Sequence, residues 1–215
     1  MSNIIYPSIL TDSPSLVQKQ LNLVLGLVQG VQIDIIDGEF ADNTTVTPVD
    51  LQTLTFGSLS VDIHLMTVDP INDVSECESI PNMRAVIGQV ERMSSQSSFI
   101  EHVKSYNWKV GLSLDLYTPI SAIDNRLFSM LDIVQIMSIH AGSQGQEFKL
   151  AAIEKIKELR TLIRKASLHT ELIVDGGLNP QTLRYCKDAG AGSFSVGSYL
   201  WSSCSVAESL KQLLY

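Results

Sequence analysis

Val31-Gln32-Ile33-Asp34-Ile35-Ile36-Asp37-Gly38 is the stretch on which the fold reading turns. It is short, rich in β-branched residues and closes on turn residues, so it reads as a strand. Side chains alternate across a strand, which sets Val31, Ile33 and Ile35 on one face and Gln32 and Asp34 on the other. A carboxylate among isoleucines is costly to bury without a partner. One apolar face, with a polar residue near the C-terminal end of the other, suits a closed parallel barrel: helices cover the outside and chemistry sits at the strand ends.

The neighbouring strand repeats the pattern. In Val61-Asp62-Ile63-His64-Leu65-Met66, the residues Asp62, His64 and Met66 share a face. Further strands are expected at 3–10, 84–90, 108–114, 131–139, 172–174 and 193–196. Helices or helical turns are expected between them. Ser13-Pro14 caps the first, whose apolar spacing runs from Leu16 to Val28 before Gly30 stops it. The others are expected at 48–56, 70–77, 95–106, 119–125, 147–165, from Asn179-Pro180 to Gly190, and at 203–214. About eight strand–helix units of roughly 25 residues follow one another without a linker or composition break. The expectation is an α/β chain forming a single (β/α)8 TIM barrel over 1–215. An open doubly wound sheet would show a glycine-rich turn after the first strand, and Ser8-Ile9-Leu10-Thr11-Asp12 is not one.

Composition narrows the function. With 45% hydrophobic and 18% charged residues the chain is ordinary globular protein. Fifteen basic residues against 23 acidic give a net charge of −8, which argues against nucleic acid and against an anionic membrane surface as partners. A phosphorylated small molecule stays open, because backbone amides hold a phosphate whatever the global charge. Cys77, Cys186 and Cys204 have no metal-finger spacing and suit reduced thiols. Residues 1–10 carry no basic stretch ahead of their apolar run and do not read as a secretory signal; no apolar run approaches membrane-spanning length. A cytoplasmic protein is the expectation.

Three glycine-bearing loops follow the later strands. They are Ala141-Gly142-Ser143-Gln144-Gly145-Gln146, then Asp175-Gly176-Gly177, then Val196-Gly197-Ser198. Glycine lets backbone approach an anion closely, and loops after strands seven and eight are where barrels hold phosphate.

In order along nearly the whole chain, these segments resemble the ribulose-phosphate 3-epimerase family. The similarity is carried by Tyr6-Pro7-Ser8-Ile9-Leu10, Asp34-Ile35-Ile36-Asp37-Gly38, Asp62-Ile63-His64-Leu65-Met66, Gly111-Leu112-Ser113-Leu114, Met137-Ser138-Ile139 with the loop behind it, Val174-Asp175-Gly176-Gly177 and Val196-Gly197-Ser198. The resemblance implies an isomerase that inverts C3 of a ketopentose phosphate, with ribulose 5-phosphate and xylulose 5-phosphate as the default pair. It implies Asp34 and Asp175 as the catalytic acids on opposite faces of the substrate. A divalent metal (zinc, manganese, iron or magnesium) is implied on Asp34, His64 and Asp175, with Gln32 as a further candidate ligand. Phosphate contacts are implied for Ser8, Gly142, Ser143, Gln144, Gly145, Gly176, Gly177, Gly197 and Ser198. Met66 and Met137 match residues that shield an enediolate from water.

The sequence departs from the family pattern close to these positions. Gln32 stands where the family carries a metal-binding histidine, and Gln89 where it tends to carry another. Ile36 replaces a methionine, Ala141 a proline, Gln144 a glycine, and Asp115-Leu116 an asparagine–proline pair. A glutamine oxygen suits manganese or magnesium better than zinc. Two alternatives therefore stand beside the epimerase: a related barrel enzyme acting on another sugar phosphate, by epimerisation or decarboxylation, and a phosphosugar-binding barrel without a metal. The related decarboxylases use a lysine between two aspartates, which Asp34-Ile35-Ile36-Asp37 lacks. The family often forms homo-oligomers; Trp201 and Tyr215 suit either an interface or internal packing.

Overall fold

The computed structural model describes residues 3–214; Met1 and Ser2 of the leader reading, and Tyr215, lie outside them. Eight strands close on one another in sequence order, all pairs parallel. They are β1 (Ile4–Ile9), β2 (Gly30–Ile36), β3 (Ser60–Met66), β4 (Met83–Gln89), β5 (Lys109–Leu114), β6 (Ile133–Met137), β7 (Glu171–Asp175) and β8 (Ser193–Val196). This is a (β/α)8 barrel. Closure pairs both edges of every strand, so no backbone edge is left open.

Seven α-helices accompany the barrel: α1 (Pro14–Val24), α2 (Pro48–Leu51), α3 (Gln96–Ser105), α4 (Ala151–Lys165), α5 (Pro180–Ala189), α6 (Ser198–Trp201) and α7 (Val206–Leu214). Proline at the first helical position and a side-chain cap start α1 from Ser13, α2 from Thr47 and α5 from Asn179. Several expected helices are shorter. The connections after β3 and β5 fold as 3-10 turns at Pro70–Asp73, Ser75–Ser79, Ile120–Ala122 and Asn125–Met130. These segments are brief, and short helical pieces tighten into 3-10 geometry. The first helix ends at Val24, with a turn at Gly26 (φ +79°), and Gly30 opens β2 instead of stopping the helix. The expected helix at 147–165 begins only at Ala151, because Gln146 and Phe148 belong to the loop that packs against Gly177. The expected helix at 203–214 begins at Val206 as α7, and the short α6 precedes it.

The outward faces of the strands and the inward faces of the helices form one continuous apolar layer, in which Val31, Ile33 and Ile35 lie. Inside the barrel the side chains stack in tiers. A separate apolar group of Tyr6, Ala85, Ile87, Ile133 and Ile173 fills the waist. Toward the N-terminal end, Arg84 bonds Asp62 through two nitrogens and Glu171 at 3.1 Å, and lies 4.6 Å over the Tyr6 ring. Toward the C-terminal end, the strands bury Ser8, Gln32, Asp34, His64, Gln89, Ser113, Gln135, Asp175 and Ser195.

Candidate active site

β2 and β3 run in register, with Asp34 beside His64 and Ile36 beside Met66. Asp175 closes β7 beside Met137 of β6. Alternation alone therefore sends Asp34, His64, Met66, Met137 and Asp175 toward the barrel axis near the C-terminal strand ends. Asp34, His64 and Asp175 each offer a ligand atom, and these atoms all lie within 4.8 Å of one another. His64 Nδ1 is 3.1 Å from Asp34 Oδ1 and 3.8 Å from Asp175 Oδ2.

Above this cluster opens a cleft. Its walls are Ser8, Asp34, Met66, Met137, Gly142, Ser143, Gln144, Gly145, Asp175, Gly176, Gly177, Gly197 and Ser198, together with Leu10, Ile139 and Leu178, which sequence reasoning did not single out. Of the residues expected at the site, His64 and Gln32 lie beneath the cleft, fully buried. Ser8 reaches the cleft, but its hydroxyl donates to Asp34 Oδ2 at 2.6 Å, making it a partner of the acid.

Gly176 and Gly177 show why the wall is built of glycine. Gly176 has φ +109° and a side chain there would strike Ile139; Gly177 has φ +63° and a Cβ would lie 2.5 Å from the Phe148 backbone nitrogen. Only glycine permits both the backbone angle and the approach. Two further contacts hold the loops. Asn43 Nδ2 donates to the Gly142 carbonyl at 2.9 Å, and Ser138 Oγ donates to the Gly176 carbonyl at 2.5 Å. Asp37 lies outside the cleft and accepts from the amides of Glu39, Phe40 and Val68, tying the loops after β2 and β3 together. Trp201 is half-buried, and its indole donates to the Ser8 carbonyl at 2.6 Å.

Gln32 and Gln135 contact the acids, and Gln89 contacts His64. Gln32 Nε2 donates to Asp34 Oδ1 at 2.8 Å and to Asp175 Oδ2 at 2.6 Å, while its Oε1 is buried without a partner. Gln135 Nε2 lies 3.2 Å from both Asp175 Oδ2 and His64 Nδ1, and its Oε1 is likewise buried and unpartnered. Gln89 satisfies its neighbours when its nitrogen donates to Glu91 Oε2 (2.8 Å) and the Ser113 carbonyl (3.1 Å), and its oxygen accepts from His64 Nε2 (3.3 Å). Sequence reasoning missed Gln135. The signal was present, since Gln135 shares the inward face of β6 with Met137, as Gln32 shares that of β2 with Asp34.

The electrostatics follow from this crowding. Burial pushes the Asp175 carboxyl up to about 7, and the charge of Asp34 adds to the rise; His64 and the Gln32 hydrogen bond pull the other way. Two close carboxylates out of water do not both ionise freely. Asp34 Oδ1, Asp175 Oδ2 and His64 Nδ1 converge as acceptors once the histidine proton is on Nε2, where Gln89 receives it. Such a set fits a divalent cation, and the orphaned Gln32 oxygen is one amide rotation from joining it.

The chain is similar to known proteins. A family model described as the ribulose-phosphate 3 epimerase family matches residues 4–201. The chloroplastic ribulose-5-phosphate-3-epimerase of Arabidopsis thaliana is 30% identical over 211 residues, 97% of this chain and 75% of its own. Ribulose-phosphate 3-epimerase of Bacillus subtilis is 27% identical, with 96% of each chain covered. Among solved structures, 3-hexulose-6-phosphate synthase superposes with a TM-score of 0.68 at 14% identity, covering 99% of this chain and 98% of its own. Phosphoribosyl anthranilate isomerase from Thermus thermophilus gives 0.64 at 12% identity, covering 98% and 96%. Those two structures bear on the fold alone. Among the described residues, no helix is long and apolar enough to cross a membrane.

Proposed function

The chain belongs to the ribulose-phosphate 3-epimerase family and is a carbohydrate epimerase, and from that premise we propose that it interconverts ribulose 5-phosphate and xylulose 5-phosphate by two-aspartate proton transfer at C3. The observation that carries the proposal is the convergence of Asp34 and Asp175, from strands far apart in sequence, on one cleft walled by glycine loops.

The phosphate lies against the loops of Gly142, Ser143, Gln144, Gly145, Gly176, Gly177, Gly197 and Ser198, whose backbone suits an anion in an otherwise acidic protein. That anchorage sets C3 between the two carboxyl groups. One aspartate takes the C3 proton; the bonding pair moves toward C2 and spreads onto the carbonyl oxygen. The other aspartate returns a proton to C3 from the opposite face, and the carbonyl reforms. Asp175, held near neutral pH by burial, suits proton delivery in one direction and removal in the other. Ser8 steadies Asp34 through its hydroxyl. Met66 and Met137 keep water from the exposed carbanion face. Asp34, His64 and Asp175, with Gln32 after its amide turns, would hold a divalent cation, whose positive charge stabilises the oxyanion when bound.

The test is turnover in deuterium oxide with C3 followed by proton NMR, manganese supplied. Deuterium enters C3 as ribulose 5-phosphate converts; a C3 proton that persists in recovered substrate and product defeats the assignment.

A further inference from the structure

His64 has an amide on each side of its ring. On one side Gln89 Oε1 receives Nε2–H, and the Gln89 nitrogen is itself held by Glu91 and the Ser113 carbonyl. A proton on Nε2 leaves a lone pair on Nδ1, the atom that also lies 3.1 Å from Asp34 Oδ1. On the other side Gln135 Nε2 lies 3.2 Å from that lone pair and 3.2 Å from Asp175 Oδ2. The Gln135 oxygen is buried without a partner, so the amide is oriented by its nitrogen alone. Turned the other way, its oxygen would face two acceptors. Gln135 is fully buried and does not line the cleft.

We propose that Gln135 is a positioning residue that caps the His64 Nδ1 lone pair and so competes with a divalent cation for its histidine ligand. The inference rests on the reading of Asp34, His64 and Asp175 as an ion site. Gln135 and a cation need the same lone pair and the same Asp175 oxygen, so one displaces the other. With Gln135 in place, the ion-free protein keeps its acids and its histidine at ligand spacing through neutral donors. The consequence is a site that stays organised without metal and binds it weakly. Gln32 acts with the opposite sign, because it occupies the gap between the acids and has an unused oxygen to offer.

The full chain is stripped with chelator and titrated with manganese by calorimetry, as wild type, Gln135→Leu and Gln32→Leu. Loss of one competing hydrogen bond is expected to tighten manganese about three- to tenfold in Gln135→Leu. Loss of a purely structural side chain would not tighten it. Gln32→Leu is expected to weaken it. Manganese binding Gln135→Leu no more tightly than wild type overturns the proposal, as does absence of binding to both chains. Should Gln135→Leu not fold, the side-chain amide protons of Gln135 in labelled wild type answer instead. They shift on saturation with zinc if the cap is displaced, and unmoved signals overturn it. The epimerase reading stands or falls separately, on C3 exchange.

Discussion

The two ends of the barrel bury charge in opposite ways. At the N-terminal end the carboxylates of Asp62 and Glu171 meet a resident guanidinium, and burial, which works to discharge Arg84, is overcome by its bonds to Asp62, so its pKa is raised. At the C-terminal end, among the described residues, Asp34 and Asp175 accept from the Ser8 hydroxyl and the amide nitrogens of Gln32 and Gln135, with the His64 ring beside them, instead of from a guanidinium. Asp62 and His64 stand two residues apart on one face of β3, so the same strand serves both ends. A buried ion pair with its own counter-charge is a structural plug. A buried acid pair lacking one has carboxyl groups whose protons can move.

The contrast breaks most sharply if Asp175 is neutralised. Asp175→Asn is expected to lower kcat by about a thousandfold, the range of general acid–base catalysis, while phosphosugar binding by calorimetry persists. Retained turnover would mean that the acids at this end are structural too. At the other end, Arg84→Met leaves Asp62 buried and uncompensated. A loss of about 3 kcal/mol in denaturant unfolding is expected, with kcat per folded molecule nearly unchanged. A smaller effect sharpens the comparison through pH. An unfolded aspartate ionises near 3.8, whereas folded Asp175 keeps its proton to about 7. Across that window the native state binds the extra proton, so ion-free stability falls as pH rises from about 4 to about 7. Asp175→Asn should flatten that slope in urea unfolding measured with chelator present.

Much of this architecture could be read from alternation. β2 and β3 announce themselves because isoleucine, valine and leucine fill every outward position, so an inward Gln32, Asp34 or His64 stands out. The cleft loops were legible because glycine pairs after a strand have few other uses. The connections were harder: apolar spacing over 70–77 and 119–125 does not distinguish an α-helix from a 3-10 turn, and length decides. Gln135 escaped for a different reason. A glutamine in a strand is unremarkable until its partners are known, and its partners come from β3 and β7. Ser8 shows the same limit, since only the folded chain reveals that its hydroxyl turns to Asp34.

The apolar waist of Tyr6, Ala85, Ile87, Ile133 and Ile173 makes the barrel a vessel with a sealed floor. On the proposed two-aspartate mechanism, a proton lifted from a bound sugar would have no drain through the middle of the molecule. On that mechanism it would leave by the mouth of the barrel, so exchange of isotope with bulk solvent is expected to keep time with product departure.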